Sequence, residues 1–305
     1  MIVLMKRAKV ERMPTYIVAV SGGVDSVVLL DMLVHGRIKT VPAECQLVVA
    51  HFDHGIRSDS GADADFVAKL ADTHALPFEL GSAKLGAAAS EEIARAARYN
   101  FLRQCARQHQ AAGIITAHHQ DDLMETAIIN LIRGTGWRGL ASLESTDSML
   151  RPLLSTPKSK LLEYAHSPKL EWREDSTNSD QSYLRNYIRH TLVPHAQTKN
   201  PDFKSDMLER IAAIGILKPQ IVSELQTLVE ADSLQRYDYI MWPESVALEV
   251  IYCHLAKLDP DWHPSQLQLQ RALYFIKTAQ PGKQLEVSKS LKIVVEKQQL
   301  QFKKV

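Results

Sequence analysis

Three groups of side chains in this sequence have the types and spacing for phosphate and proton chemistry. The first is Ser21-Gly22-Gly23-Val24-Asp25-Ser26, which follows an apolar run and opens a helical one. A glycine pair lets the backbone approach phosphate oxygens closely. The N–H groups of such a loop, and of the helix it opens, point at an anion that the helix dipole favours. Ser21 and Ser26 add hydroxyl donors, and Asp25 is suited to hold magnesium or to orient an acceptor. No Gly-Lys-Ser/Thr follows, so this is not a Walker A loop. A serine–glycine turn with no ligand is the plain structural alternative.

The second group is His118-His119-Gln120-Asp121-Asp122-Leu123-Met124-Glu125. On a helix Asp122 and Glu125 (i,i+3) share a face, and Asp121 reaches it at i,i+4. Carboxylates this close repel unless a cation sits between them, and a metal ion or an amine would serve equally. An acidic helix start favoured by the dipole is the alternative. The histidines His118 and His119, with His51 and His54 on another strand, lack the HExxH spacing of a zinc site. A histidine contacting phosphate or assisting proton transfer is the better reading. The third group is the arginines Arg98, Arg185 and Arg189, suited to stabilise negative charge on phosphates or a leaving group, or else to make surface ion pairs.

These groups must be carried by a scaffold. Apolar runs of strand length stand at 16–20, 47–50 and 113–117, separated by helical spacing at Val27 to Leu33, Phe66 to His74 and Glu91 to His109. Continuously apolar short strands between helices predict a doubly wound α/β fold with a mostly parallel sheet, where ligands sit at the carboxyl ends of strands. In the third helix Ser90 is the expected cap, Glu91 pairs with Arg95, and Ile93, Ala97, Phe101 and Cys105 are the expected core face. From Pro152 the alternation stops. Residues 203–230 read as a polar helix, and beyond Trp242-Pro243 helices near Val246–Leu258 and Ser265–Ala279 precede a Pro281-Gly282 turn and short strands at 285–287, 292–295 and 300–302. The expected organisation is a domain over 1–200, a helical linker over 201–240 and a small α+β domain over 241–305.

Composition excludes more than it names. The apolar share of 45% and charged share of 23% are those of a globular protein. The first residues turn charged too quickly for a signal peptide, and no apolar run is long enough to span a membrane, so a cytoplasmic protein without membrane partner is expected. Cys45, Cys105 and Cys253 form no CxxC pair and read as reduced thiols. The net charge is +1, yet Arg271 to Val305 holds eight basic residues against two acidic ones. That surface could neutralise phosphates, or be an ordinary solvated lysine-rich face.

The loop SGGVDS resembles the PP-loop of the N-type ATP-pyrophosphatases, whose adenine nucleotide alpha hydrolase-like fold cleaves ATP between its α and β phosphates. Together with AHHQDDLMET (117–126), RGTGWRGL (133–140), RPLL (151–154), EDSTN (174–178) and RNYIRHTLVP (185–194), it makes the chain similar to the tRNA(Ile)-lysidine synthetase family from about Tyr16 to Pro194. The part after Ser245 resembles that family's tRNA-binding C-terminal module, and the length suits its shorter architecture. The resemblance implies ATP and Mg²⁺ as cofactors, with Ser21, Gly22, Gly23, Asp25, Ser26, His51, Arg133 and Gly134 at the nucleotide. It implies Asp25, Arg98, His118, Asp122, Glu125 and Arg189 in catalysis, His118 matching the family position better than His119. Free L-lysine would sit on Asp122 and Glu125, with Asp121 beside them. Arg185, Lys283, Lys289 and Lys292 would meet an isoleucine tRNA with a CAU anticodon, and a homodimer is compatible.

Two other readings compete. A PP-loop tRNA thiolase normally needs a catalytic cysteine pair, which the three scattered cysteines do not form. A non-catalytic nucleotide-binding module would have little use for the Asp121–Asp122–Glu125 cluster.

Overall fold

A computed structural model of the chain describes residues 13–55, 60–83, 86, 91–167, 169–173, 184–230, 235–260, 262 and 264–305. Ser90, the side chain of Glu91 and the segment 174–178 lie outside them. Contacts group the chain into two compact units: Met1–Leu123 with Glu144–Asp180, and Met124–Leu143 with Gln181–Val305.

The first unit holds strands β1 (Thr15–Ala19), β2 (Gln46–Asp53), β3 (Phe78–Ser82), β4 (Gly113–Ile115) and β5 (Met149–Leu150) in the order β3-β2-β1-β4-β5, every pair parallel. Helices α1 (Val24–Val34), α2 (Ser60–Thr73), α3 (Glu91–Gln108) and α6 (Lys158–His166) belong to it. The central strands read as unbroken apolar runs because both faces are covered: Val18, Val49 and Ile115 face α1, α2 and α6, whereas Ile17, Val48 and Ile114 face α3. From β1 the chain passes to β2 on one side and later returns as β4 on the other. That reversal opens a crevice beyond the carboxyl ends of β1 and β4, where doubly wound sheets bind ligands.

Helix α3 corrects one sequence expectation. Cys105 is buried, but Ile93 is 56% exposed, and Ala94, Tyr99 and Leu102 take the core positions. Four residues turn an α-helix by about 400°, so a strict four-residue series drifts about 40° per step, and one that reaches the core at Cys105 stands about 120° away from it three steps earlier, at Ile93.

Helix α4 (Gln120–Ile132) begins in the first unit and continues into the second. The second unit adds α5 (Trp137–Leu140), α7 (Leu184–Tyr187), a π-helical turn over Ile188–Leu192, α8 (Val193–Lys199), the 28-residue α9 (Phe203–Glu230), α10 (Arg236–Met241), α11 (Glu244–Leu258) and α12 (Gln266–Thr278). An antiparallel sheet β6 (Gln284–Glu286), β7 (Leu291–Val295) and β8 (Leu300–Lys304) closes the chain. In β7, Leu291, Ile293 and Val295 are buried while Lys292 and Val294 are not, the alternation of a one-faced sheet. Leu225 of α9 and Tyr239 of α10 lie in one apolar cluster with α11, α12 and β7, so the helices of 201–240 pack with the segment that follows. No helix among the described residues is long and apolar enough to cross a membrane.

Candidate functional site

The loop after β1 is folded around one hydroxyl. Ser26 Oγ accepts from the N–H groups of Ser21 and Gly22, both at 3.2 Å, and donates to the Gly23 carbonyl at 2.8 Å. Gly22 has φ of +93°, a conformation that a side chain resists, and Arg173 N–H holds its carbonyl at 3.0 Å. Gly23 caps α1 without any side-chain bond, so the helix presents its first N–H groups from the loop. This is the geometry of an anion cradle at a helix start.

Asp25, in the first turn of α1, faces His119, which immediately precedes α4, and Lys158 at the start of α6. Its Oδ1 accepts from Lys158 Nζ at 2.6 Å, and its Oδ2 lies 3.6 Å from His119 Nε2. The His119 ring is 4% exposed and also lies 3.5 Å from Asp122 Oδ2. Asp121 N–H donates to its Nδ1 at 3.2 Å, which places the ring proton on Nε2, facing Asp25 and Asp122. Burial alone would depress the imidazole, yet the Asp25 and Asp122 carboxylates raise its pKa above the ordinary value. Burial likewise works against the Asp25 carboxylate, and His119 and Lys158 more than offset it, so its pKa is lowered. The acids are pinned in turn. Asp122 Oδ2 accepts from His119 N–H at 3.0 Å, and Asp121 Oδ2 from Lys158 N–H at 2.9 Å.

Two rungs hold α1 beside α6. Asp25 meets Lys158, and six residues further on Tyr164 donates to Asp31 Oδ2 at 2.6 Å. Six helical residues rise about 9 Å, so equal spacing on both helices keeps them parallel and fixes the first rung through the second. Asp31 is buried, and burial together with its charge pushes the Tyr164 hydroxyl up to about 12, which keeps it a donor.

In the second unit Glu125 is 1% exposed and clasped by Arg189, whose Nε and Nη2 donate at 2.6 and 2.9 Å. Arg185 Nε stands 3.8 Å from the same carboxylate and its Nη2 donates to Thr126 Oγ1 at 3.3 Å. Such a fork–fork pair is among the strongest side-chain contacts and satisfies a carboxylate that burial would otherwise penalise. Arg189 sits on the π-helical turn, a local widening that is frequent at functional positions.

Other expected site residues fall elsewhere. His118 Nδ1 pairs with Thr116 Oγ1 at 2.8 Å, while its neighbour His119 occupies the carboxylate cluster. His51 is buried and donates from Nδ1 to the Val20 carbonyl at 2.8 Å, closing the end of β2 onto β1. Arg98 and Arg95 lie 5.4 and 4.9 Å from the centre of the buried Tyr99 ring. Arg133 and Gly134 stand at the far end of α4 from Asp121, where Gly134, with φ of +71°, terminates the helix. Lys283 and Lys289 are exposed, and Lys292 lies half-buried on the outward side of β7, opposite Lys303.

Lys158 was invisible to motif reading because a lone lysine after a proline carries no pattern. A second missed feature binds the RGTGWRGL segment: Trp137 Nε1 and Arg138 Nε donate to the two oxygens of Glu249 at 2.6 and 2.7 Å. The Arg138 guanidinium is stacked between Trp137 and Tyr252, at 4.9 and 4.3 Å from their ring centres.

No group of three or more His, Cys, Asp or Glu side chains among the described residues is arranged to hold a metal ion unaided. Magnesium commonly binds through one or two carboxylates plus substrate phosphates, and Asp25 beside the anion cradle suits that mode.

A doubly wound sheet with an anion cradle after β1 and an acidic helix after β4 defines an α/β nucleotide-binding protein. Residues 4–196 match the PP-loop domain family, and the chain belongs to it. It is 34% identical over 235 residues to the tRNA(Ile)-lysidine synthase of Thermotoga maritima, covering 75% of this chain and 56% of that protein. To that of Nitrosomonas europaea it is 33% identical over 294 residues, 84% of this chain and 62% of the relative. The chain thus spans less than two thirds of these relatives. Among solved structures, a U34-tRNA thiolase from Methanococcus maripaludis with its [4Fe-4S] cluster aligns with a TM-score of 0.54 at 16% identity, over 67% of this chain and 73% of that one, a likeness of fold.

Proposed function

We propose that this chain is a tRNA(Ile)-lysidine synthase: it adenylates the wobble cytidine of an isoleucine tRNA with a CAU anticodon, and free L-lysine then displaces AMP to form lysidine. The observation that carries the reading is the junction of the anion cradle with Asp25, His119, Asp121 and Asp122 at one end of the sheet. Those residues all fall inside the matched 4–196 segment, and the relatives named above bear that activity in their names.

In this reading ATP lays its phosphates on Ser21, Gly22, Gly23 and Ser26. The O2 of cytosine attacks the α phosphorus, the bond to the bridging oxygen breaks, and pyrophosphate departs. Magnesium, held by Asp25 when bound with ATP, supplies charge compensation for that leaving group. His118 and Arg98 are the further residues proposed to assist at the phosphates. The lysine ε-amine then attacks carbon 2, losing a proton as AMP leaves. Asp122 and, one helical turn on, Glu125 hold the lysine, with Asp121 beside them. Cytosine has to be splayed from its neighbours, so the tRNA is met at its single-stranded loop, with Arg185, Lys283, Lys289 and Lys292 at its backbone. The reaction is cytoplasmic.

The thiolase reading has little support from the thiols. Burial pushes Cys105 up to about 11 and raises Cys45 and Cys253 as well, so all three stay protonated and poorly nucleophilic.

The test is pyrophosphate release from ATP with Mg²⁺ and unmodified CAU-anticodon isoleucine tRNA, with and without lysine, followed by mass spectrometry of the tRNA nucleosides. Lysine found in the tRNA is the expected result. Pyrophosphate release without lysine incorporation would point to another nucleophile, and no release from folded, tRNA-binding protein would favour a non-catalytic nucleotide module.

A further inference from the structure

We propose that Lys158 is a phosphate-binding residue of the adenylation site, held ready by Asp25 and transferred to the β and γ phosphates of ATP when the nucleotide enters. The inference rests on the ATP reading above and adds a residue to it. Lys158 Nζ is 2.6 Å from Asp25 Oδ1, and Asp25 lies two residues past Gly23 in the first turn of the helix that the cradle opens. The ammonium therefore stands at the mouth of the cradle.

Its position is unfavourable for the helix that carries it. Lys158 is the first residue of α6, whose N-terminal turn contains no acidic residue and whose cap, Pro157, makes no side-chain bond. A cation there opposes the helix dipole, and an acid would be preferred. Convenience for α6 itself does not explain the lysine; it serves Asp25 across the gap, and an anion arriving at the cradle would compete for the same ammonium. The stem is fixed rather than loose: its backbone N–H donates to Asp121 Oδ2 at 2.9 Å, and the Tyr164–Asp31 rung sets the register of α6 against α1. Meanwhile the side chain keeps 35% of its surface exposed, so the ammonium can swing on its four-carbon stem.

The exchange is balanced in charge. Before nucleotide binds, the Asp25 carboxylate is compensated by Lys158 and His119. The phosphates take over Lys158, and Asp25 is released to the role that the adenylation reading assigns to it. Lysine, a point charge with three donors on a flexible stem, suits such an exchange between two anions.

The test compares wild-type protein with Lys158→Met and Lys158→Arg in equilibrium binding to ATP, inorganic pyrophosphate and AMP, with thermal melting as a control for folding. Lys158→Met is expected to weaken ATP and pyrophosphate by about tenfold or more, the scale of one charge-assisted hydrogen bond, and to leave AMP within about twofold. Lys158→Arg should recover most of the pyrophosphate binding. Unchanged ATP and pyrophosphate binding in Lys158→Met would overturn the proposal, and so would an equal loss for all three ligands, which marks a structural role. If Lys158→Met fails to fold, Lys158→Arg decides: it must bind pyrophosphate within a few-fold of wild type. Wild-type protein that binds no ATP at all would remove the adenylation reading itself, a result distinct from a mutant that binds like wild type.

Discussion

Removing Arg189 should destabilise the second unit by about 2–3 kcal/mol, and most of that loss should vanish when Glu125 is removed as well. Glu125 is 1% exposed, and its two oxygens receive Arg189 at 2.6 and 2.9 Å, with Arg185 Nε standing off at 3.8 Å. A buried carboxylate stripped of a charged partner loses about 1.5–3 kcal/mol per charge-assisted bond, and breaking a fully buried pair costs about 3–5 kcal/mol. Arg189 is 35% exposed, so water can replace part of what it gives, and Arg185 remains; both push the value toward the lower range. Replacing both residues by apolar ones of similar length strands neither member of the pair, a change that is nearly neutral in comparable cases, and Arg185 keeps its bond to Thr126. Urea unfolding would be followed by tryptophan fluorescence in a Trp172→Phe background, because the other three tryptophans, Trp137, Trp242 and Trp262, belong to the second unit. The four proteins needed are the parent, Arg189→Met, Glu125→Met and the double variant. A coupling energy below about 0.5 kcal/mol, the level at which independent sites add, would refute the ion-pair account. The same variants bear on function, since Glu125→Gln should raise KM for lysine while leaving that for ATP unchanged if Glu125 holds the amino acid.

Asp25→Ala should abolish pyrophosphate release with the circular dichroism spectrum unchanged; full activity would sink the PP-loop role of that residue. His119, whose pKa is raised, contributes stability that is complete below its ordinary value of about 6.5 and lost as pH rises through its folded value. Asp25, whose pKa is lowered, contributes above about 3.9 and loses that as pH falls through its folded value. The melting-temperature gap between wild type and His119→Asn should therefore be widest between roughly pH 4 and 6.5 and narrow above it; a gap constant from pH 5 to 9 would contradict the carboxylate cluster. Glu249→Ala should speed amide exchange in the 133–141 segment by about tenfold or more, because both indole and guanidinium lose their acceptor; unchanged protection there would mean that other contacts hold the segment.

What could be read in advance followed from how local each signal is. The cradle was legible because a glycine pair, two serines and an aspartate stand within six residues between a strand and a helix, so sequence neighbours are also spatial neighbours. The parallel sheet was legible because strands covered on both faces leave unbroken apolar runs. Pairings between distant segments leave no such trace. Asp25 with Lys158, Asp31 with Tyr164 and Trp137 with Glu249 are separated by 133, 133 and 112 residues, and each partner is an ordinary residue in its own neighbourhood. The choice between His118 and His119 shows the same limit at closer range. Adjacent residues leaving a strand point to opposite sides, so one lies by Thr116 and the other is buried among carboxylates, and nothing in the dipeptide says which. Tertiary packing decides it, because α1 brings Asp25 to the His119 side and Lys158 of α6 meets the same carboxylate. Motifs thus marked Asp25, Asp121 and Asp122, while Lys158, one of the two cations that balance Asp25, belongs to no motif.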